Sequence, residues 1–187
     1  MRAYRVERGV DEVGGDAGDG WPDRVGETSL SIRVPAADPL VRTGSTGHVT
    51  VLYPFLHHSL IDRPAQAALA ELLAGQREFT LGFREFGRWP GVLYLAPELA
   101  DPVRALTKAV RERWPAAVPY RGIFGEGLDP HLTLAVHDAP GTPPGVHDAL
   151  EAAARPALPL SVRVREVQLA VFDGAGWREA ASYRLGV

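Results

Sequence analysis

The chain reads as an α+β protein, bilobal, with two similar sheet-and-helix lobes flanking a central cleft. Three observations predict this. Short apolar runs of strand length with two-residue alternation recur along the 187 residues. Stretches with helical spacing of leucine and valine separate them. One tetrapeptide pattern, His, apolar, Thr, apolar, occurs twice, as His48-Val49-Thr50-Val51 and His131-Leu132-Thr133-Leu134.

The elements follow in order. Residues 9–27 are rich in Gly and Asp with little periodicity, so residues 1–27 read as an N-terminal segment, flexible and partly outside the core. Residues 28–187 then form one bilobal domain. Thr28 to Val34 alternates as a first strand, and Asp38 to Arg42 allows a short helical turn. After Gly44-Ser45-Thr46-Gly47 comes the first His strand, 48–53. Asp62 is a candidate N-cap for a helix with Leu69, Leu72 and Leu73 on one face and Gly75 as its stop. Strands follow at 79–86 and 91–96. A second helix is expected over 101–114, with Asp101 as cap, Pro102 at its first position and Val103, Leu106, Val110 and Trp114 as its inner stripe. The second His strand is expected over 131–136. Thr142-Pro143 opens a third helix that ends before Pro156, with Val146 and Leu150 inward. Of the last strands, at 160–172 and 177–185, the first shifts its parity from Leu160, Val162 and Val164 to Val167, Leu169 and Val171. That shift implies a bulge or a break into two strands. The order His strand, helix, strand, strand thus occurs twice, at a separation far beyond that of a solenoid repeat.

Composition removes several classes of function. With no cysteine there is no disulfide, thiolate metal site or cysteine nucleophile. No apolar run is long enough to span a membrane, and the N-terminus lacks the apolar segment of a secretion signal, so a cytoplasmic monomer is expected. The net charge of −3 argues against a non-specific grip on duplex DNA, while leaving room for a local basic pocket. Lys108 is the only lysine; the other basic residues are arginines. No P-loop, dinucleotide-binding glycine motif or nucleophile elbow is present.

The repeated tetrapeptide carries the chemistry. In a strand, residues i and i+2 share a face. His48 therefore lies beside Thr50, and His131 beside Thr133, while the intervening aliphatic residues bury. An imidazole next to a hydroxyl, presented twice, suits acid–base chemistry on a phosphate: one histidine accepts a proton, the other donates one, and the hydroxyls hydrogen-bond phosphoryl oxygens.

These residues give the chain its resemblance to a known family. Two His-x-Thr-x motifs, the flanks Leu52-Tyr53-Pro54-Phe55 and Leu128-Asp129-Pro130, and the segment Gly87 to Leu95 resemble the 2H phosphoesterases, in particular the 2′-5′ RNA ligase-like group. The resemblance runs from about Leu30 to Tyr183. It implies a pseudo-twofold duplicated fold and metal-independent chemistry on phosphodiesters: hydrolysis of a cyclic phosphate on a 2′,3′-cyclic nucleotide, an RNA end or a related small nucleotide. It places the catalytic roles on His48 and His131 and the phosphate contacts on Thr50 and Thr133, with no metal and no cofactor. The motifs do not fix which histidine is the base; for ring opening, the assignment taken is His131 activating water and His48 protonating the leaving oxygen, with the reverse left open. The alternatives are 2′-5′ end joining at the same site and a nucleotide-binding module without activity.

Beside the second motif, Tyr120-Arg121-Gly122-Ile123-Phe124 belongs to a Gly-rich loop. There Arg121 is a candidate phosphate contact, and Tyr120 and Phe124 are candidate base contacts; an ordinary connection is the simpler reading. Trp89 and Tyr94 would stack a base or fill the core. His57 and His58 read as surface loop, His137 as a strand end and His147 as a solvated helix residue.

Overall fold

The computed structural model describes residues 23–124, 129–137 and 145–187. Its strands are β1 (Thr28–Arg33), β2 (His48–Leu52), β3 (Phe79–Trp89), β4 (Val92–Pro97), β5 (Leu132–Val136), β6 (Leu160–Val164), β7 (Glu166–Phe172) and β8 (Trp177–Arg184). Its α-helices are α1 (Arg63–Ala74), α2 (Asp101–Arg113) and α3 (Val146–Ala154). The strands form two antiparallel sheets, ordered β2-β1-β7-β8 and β5-β4-β3-β6. The two orders correspond strand for strand, and each places its His strand at an edge. Those edges, β2 and β5, lie in contact. The duplicated pattern is therefore a duplicated architecture.

Each lobe draws on both halves of the chain. β3, which follows the first His strand, lies in the sheet of the second, and β7 and β8 complete the sheet of the first. The parity shift marks the second exchange. β6 pairs with β3, whereas β7 pairs with β1 and β8, so the chain changes sheets at Arg165. Changing sheets reverses which side of the strand is inside, and the apolar parity changes with it.

The helices follow their local signals, with one exception. At α1, the Asp62 carboxylate accepts the Ala65 N–H at 2.9 Å, and Leu69 and Leu73 are fully buried. At α2, Asp101 is the first helical residue and no cap: its carboxylate accepts from the Arg104 guanidinium at 2.7 Å, and Ala100 takes the cap position. An Arg one turn on offers charged donors, which outcompete the backbone N–H groups for the carboxylate. Val103, Leu106 and Val110 bury as expected. Gly145, in the left-handed conformation, precedes α3; Thr142-Pro143 lies outside the described residues. His147, expected in solvent, is half-buried with its ring 5.4 Å from that of His137. One contiguous core joins both sheets, α1 and α2.

Residues 23–27 are tied into this body. The Gly26 N–H donates to Phe172 O at 2.8 Å, and Phe172 N–H donates to Glu27 O at 2.9 Å. Asp23 accepts from the Tyr53 hydroxyl at 2.7 Å and the Trp177 indole at 2.8 Å.

Candidate active site

Alternation in the two His strands produces the expected faces. Val49, Val51, Leu132 and Leu134 are buried, while His48, Thr50, His131 and Thr133 are half-buried. β5 itself begins at Leu132, so His131 stands at its N-terminal lip.

Both imidazoles are held in the same way. His48 Nδ1 lies 2.7 Å from Thr46 O, and His131 Nδ1 lies 2.8 Å from Asp129 O. In each case the partner is the carbonyl two residues upstream. A carbonyl only accepts, so each Nδ1 carries a proton, and each Nε2 of the neutral ring is left as a lone-pair base. Burial is the largest influence on both, pulling each imidazole below its ordinary value. The carbonyl bonds oppose this, and the Arg33 charge adds to the lowering at His48. His131 also feels the charge of His48, which lowers it further. A proton on His48 therefore disfavours one on His131.

An arginine–aspartate pair stands behind each anchor. On the first side, the Arg33 guanidinium donates to both Asp38 carboxylate oxygens, at 3.1 and 2.9 Å, while Asp38 accepts the Gly47 N–H at 2.6 Å. Arg33 also donates to the Gly47 carbonyl at 2.5 Å. The peptide units around Gly47, adjoining Thr46 and His48, are thus fixed from both sides. Gly47 is required there: a Cβ would lie 2.8 Å from Val34 O and 2.9 Å from Ala37 Cβ. On the second side, Arg104 donates through Nε and a terminal nitrogen to Asp129, at 3.2 and 2.6 Å. Replacing Asp38 by Ala is expected to cost about 1–2 kcal/mol of stability and to loosen His48. The measurement is the His48 Nδ1–H resonance: it should broaden through faster exchange while that of His131 stays, and equal protection of both would reject the clamp.

Aromatic rings set the orientation of His131. Its ring centroid lies 4.6 Å from that of Trp89 and 5.6 Å from that of Tyr94, both edge-on. Trp89 and Tyr94 lie 4.2 Å apart on β3 and β4. Tyr94 in turn covers Gly87, where a Cβ would fall 2.2 Å from the Tyr94 Cζ. These rings, expected as base platform or core, form a wall against the imidazole. Cross-strand pairing places Tyr94 opposite Thr133.

On the other side, Tyr120 lies beside Thr50 in the same wall, and their side chains interact. Tyr120 and Arg121 both adopt left-handed backbone, with φ of 48° and 53°. Two consecutive non-glycine residues in that region cost on the order of 1–3 kcal/mol each. Tethers hold them: the Tyr120 N–H donates to Tyr53 O at 2.6 Å, and the Arg121 guanidinium pairs with Glu27. That guanidinium lies 5.9 Å over the Tyr53 ring. The Phe124 ring lies 5.4 Å from that of Tyr120.

A cleft of about 690 Å³ opens beside Thr50 and His131. Thr50 to Leu52 of β2, Tyr53, Tyr120, and Asp129 to His131 form part of its lining; His48 and Thr133 are not among the lining residues. Its remaining wall is the polar face of α2, with Arg104, Thr107, Lys108, Arg111 and Glu112. Sequence reasoning missed this wall, because it read α2 for its buried stripe alone. The signal was present: Arg104, Lys108 and Arg111 follow the i, i+4, i+7 spacing of one helical face. Among the described residues, no three histidines or carboxylates converge as a metal site requires.

Comparison with known proteins agrees with this architecture. The chain is similar to the solved structures of a phosphoesterase (18% identity, 88% of this chain and all of that one, TM-score 0.56) and of E. coli LigT complexed with 3′-AMP (19%, 87% and 99%, 0.56). It is also similar to the Thermus thermophilus protein TT0787 (18%, 84% and 97%, 0.54). At these identities the likeness is one of fold. No curated protein matches the sequence. The family model of the 2′-5′ RNA ligase superfamily matches residues 22–176, and with most of its length so matched the chain belongs to that superfamily, the 2′-5′ RNA ligase-like 2H phosphoesterases.

Proposed function

We propose that this member of a phosphoesterase and RNA-ligase superfamily is a phosphodiesterase that opens a cyclic phosphate on a 2′,3′-cyclic nucleotide, an RNA end or a related small nucleotide. The observation that carries the reading is the matched anchoring of the two imidazoles, each with Nδ1–H on a carbonyl and with Nε2 unanchored among the described residues. Two such groups, on the edge strands β2 and β5 that lie in contact, supply both proton transfers of an in-line displacement. One neutral Nε2 takes a proton from water as oxygen attacks phosphorus. The other, protonated, delivers its proton to the departing ribose oxygen. Their mutual repulsion favours the singly protonated pair over a window of pH, and that pair is the active form. Thr50 and Thr133 donate to the non-bridging oxygens as charge builds there. Each proton transfer contributes on the order of 10²–10⁴-fold, and no metal is needed to complete the set. For ring opening we assign His131 as base and His48 as acid.

E. coli LigT has been solved with 3′-AMP, NADP+, phosphate and ATP, which supports a nucleotide-sized ligand for this fold. We assign Arg121 to holding the Tyr120 turn through Glu27, and Tyr120 to orienting Thr50.

The test is a panel of 2′,3′-cyclic nucleotides, ADP-ribose cyclic phosphate and 2′-5′-linked oligonucleotides, with EDTA present throughout. Turnover of a cyclic phosphate in EDTA is expected; activity restored only by a divalent ion would overturn the reading. The pH dependence follows from the imidazoles. Both are lowered in the free protein, so the bell in kcat/KM should peak on the acid side of about 6.5. Bound anionic phosphate favours the protonated rings, so the bell in kcat should lie at higher pH. A kcat/KM that rises without a maximum through neutrality would remove the protonated histidine from the mechanism.

A further inference from the structure

We infer that the junction of β5 with α3 is an acid-sensitive latch: His137 and His147 hold the two elements together while both rings are neutral, and the junction opens when either ring takes a proton. The latch uses neither of the histidines of the cleft.

Two imidazoles meet there from different elements. His137 follows Val136, the last residue of β5, and its N–H donates to Gly91 O, in the β3–β4 turn, at 2.7 Å. His147 is the second residue of α3, whose first turn is closed by the Ala149 N–H on Gly145 O at 3.1 Å. The rings lie 5.4 Å apart, inclined at 68°, and both residues are half-buried. In each ring one nitrogen is sealed from solvent and has no hydrogen-bond partner among the described residues: Nδ1 of His137 and Nε2 of His147.

Those two sealed atoms decide what a proton does. A neutral imidazole carries one N–H and one lone pair. A buried N–H without an acceptor is costly, so the N–H of each ring belongs on its other nitrogen, and the sealed nitrogen keeps the lone pair. The sealed nitrogen is then the atom that takes an added proton. Protonation puts an N–H there with nothing to accept it, on a charged ring beside a second imidazole. Separating the rings lets water accept it.

The neighbouring carboxylates are already engaged. Arg88 of β3 donates to Asp148 and to Glu151, each at 2.7 Å, and Arg155 pairs with Glu151 as well. Asp138, next after His137, lies outside the described residues. Burial pulls His147 below the ordinary imidazole value, and the charges of His137 and Arg88 lower it further, against Asp148. A histidine so lowered contributes stability that is present in full above its unfolded value of about 6.5 and is lost as pH falls from there toward the folded value. The latch therefore holds at neutral pH and releases in mild acid. Arg88, which ties α3 to β3, adjoins Trp89, the ring against His131, so the latch secures the end of the sheet that walls this histidine.

The experiment is amide hydrogen exchange of the full chain from about pH 7.5 to about pH 5, each amide referred to its unstructured rate at the same pH, with the imidazoles followed by NMR. It compares the wild type, His137→Gln, the double variant His137→Gln/His147→Gln and, as a control outside the junction, His57→Gln. In the wild type and the control, protection of the amides at 137 and 149 should fall by up to about tenfold per pH unit below about 6.5, the slope of one proton taken up on opening. In the double variant it should stay level. His147 should titrate below about 6.5 in the wild type and rise in His137→Gln, which removes the neighbouring charge. If the double variant is unprotected at every pH, these two titrations decide. Level protection in the wild type, a fall that the double variant keeps, or a His147 titrating at or above about 6.5 would each overturn the latch.

Discussion

His48→Ala and His131→Ala are each expected to lower turnover of the best cyclic phosphate on the order of 10²–10⁴-fold. The two rings act in one displacement, so the double variant should be little slower than the worse single one. Neither change should unfold the protein. Both rings are half-buried, each has its carbonyl anchor, and the apolar neighbours Val49, Val51, Leu132 and Leu134 are untouched. Stability should fall by about the value of one hydrogen bond, on the order of 1 kcal/mol. Steady-state rates measured beside denaturant unfolding check both halves. The acid limb and the alkaline limb of the pH profile should be lost separately: with His131 as base, His131→Ala removes the acid limb and His48→Ala the alkaline one. Near wild-type turnover by either variant would leave only a nucleotide-binding role for this cleft.

Thr50→Val and Thr133→Val are expected to cost about ten- to a hundredfold each, the range of one hydrogen bond to a charged group. Valine keeps the shape and the strand propensity, so the loss reports the hydroxyl. The two sites should differ in detail. Thr133 lies opposite Tyr94 in the sheet, while Thr50 lies beside Tyr120. Tyr120→Phe should therefore cost less than Thr50→Val, and the pair should be sub-additive, since Tyr120 acts through Thr50. Rates within twofold of wild type for both threonine variants would take the hydroxyls out of the phosphate site. Full additivity of Tyr120→Phe with Thr50→Val would give Tyr120 a contact of its own with substrate.

Much of the architecture is legible in the residues alone. The face-sharing of His48 with Thr50 and of His131 with Thr133 follows from a period of two, and the structure keeps it. The start of α1 at Asp62, its stop at Gly75 and the inner stripe of α2 follow from capping and a period of 3.6. The break at Arg165 left its trace as a parity shift, although parity alone did not tell a bulge from a change of sheet.

Four candidate residues could be named from the sequence, but not the way the fold holds them. That each Nδ1 meets the carbonyl two residues upstream depends on loops whose course is fixed by Arg33 with Asp38 and by Arg104 with Asp129, and no local pattern joins those partners. Arg121, a candidate for phosphate in the sequence, is paired with Glu27, 94 residues away. The cationic wall of α2 belongs to the cleft because β2 passes beneath it.

By itself, then, the sequence determined which side of each strand and helix turns inward, because backbone geometry repeats with a fixed period and apolar side chains must leave water. The tertiary structure decided which groups become neighbours. Pairings such as Arg33 with His48 on adjacent strands of one sheet, or Tyr94 with Thr133 on adjacent strands of the other, join segments that the sequence separates, and their free energy exists only once those strands have paired.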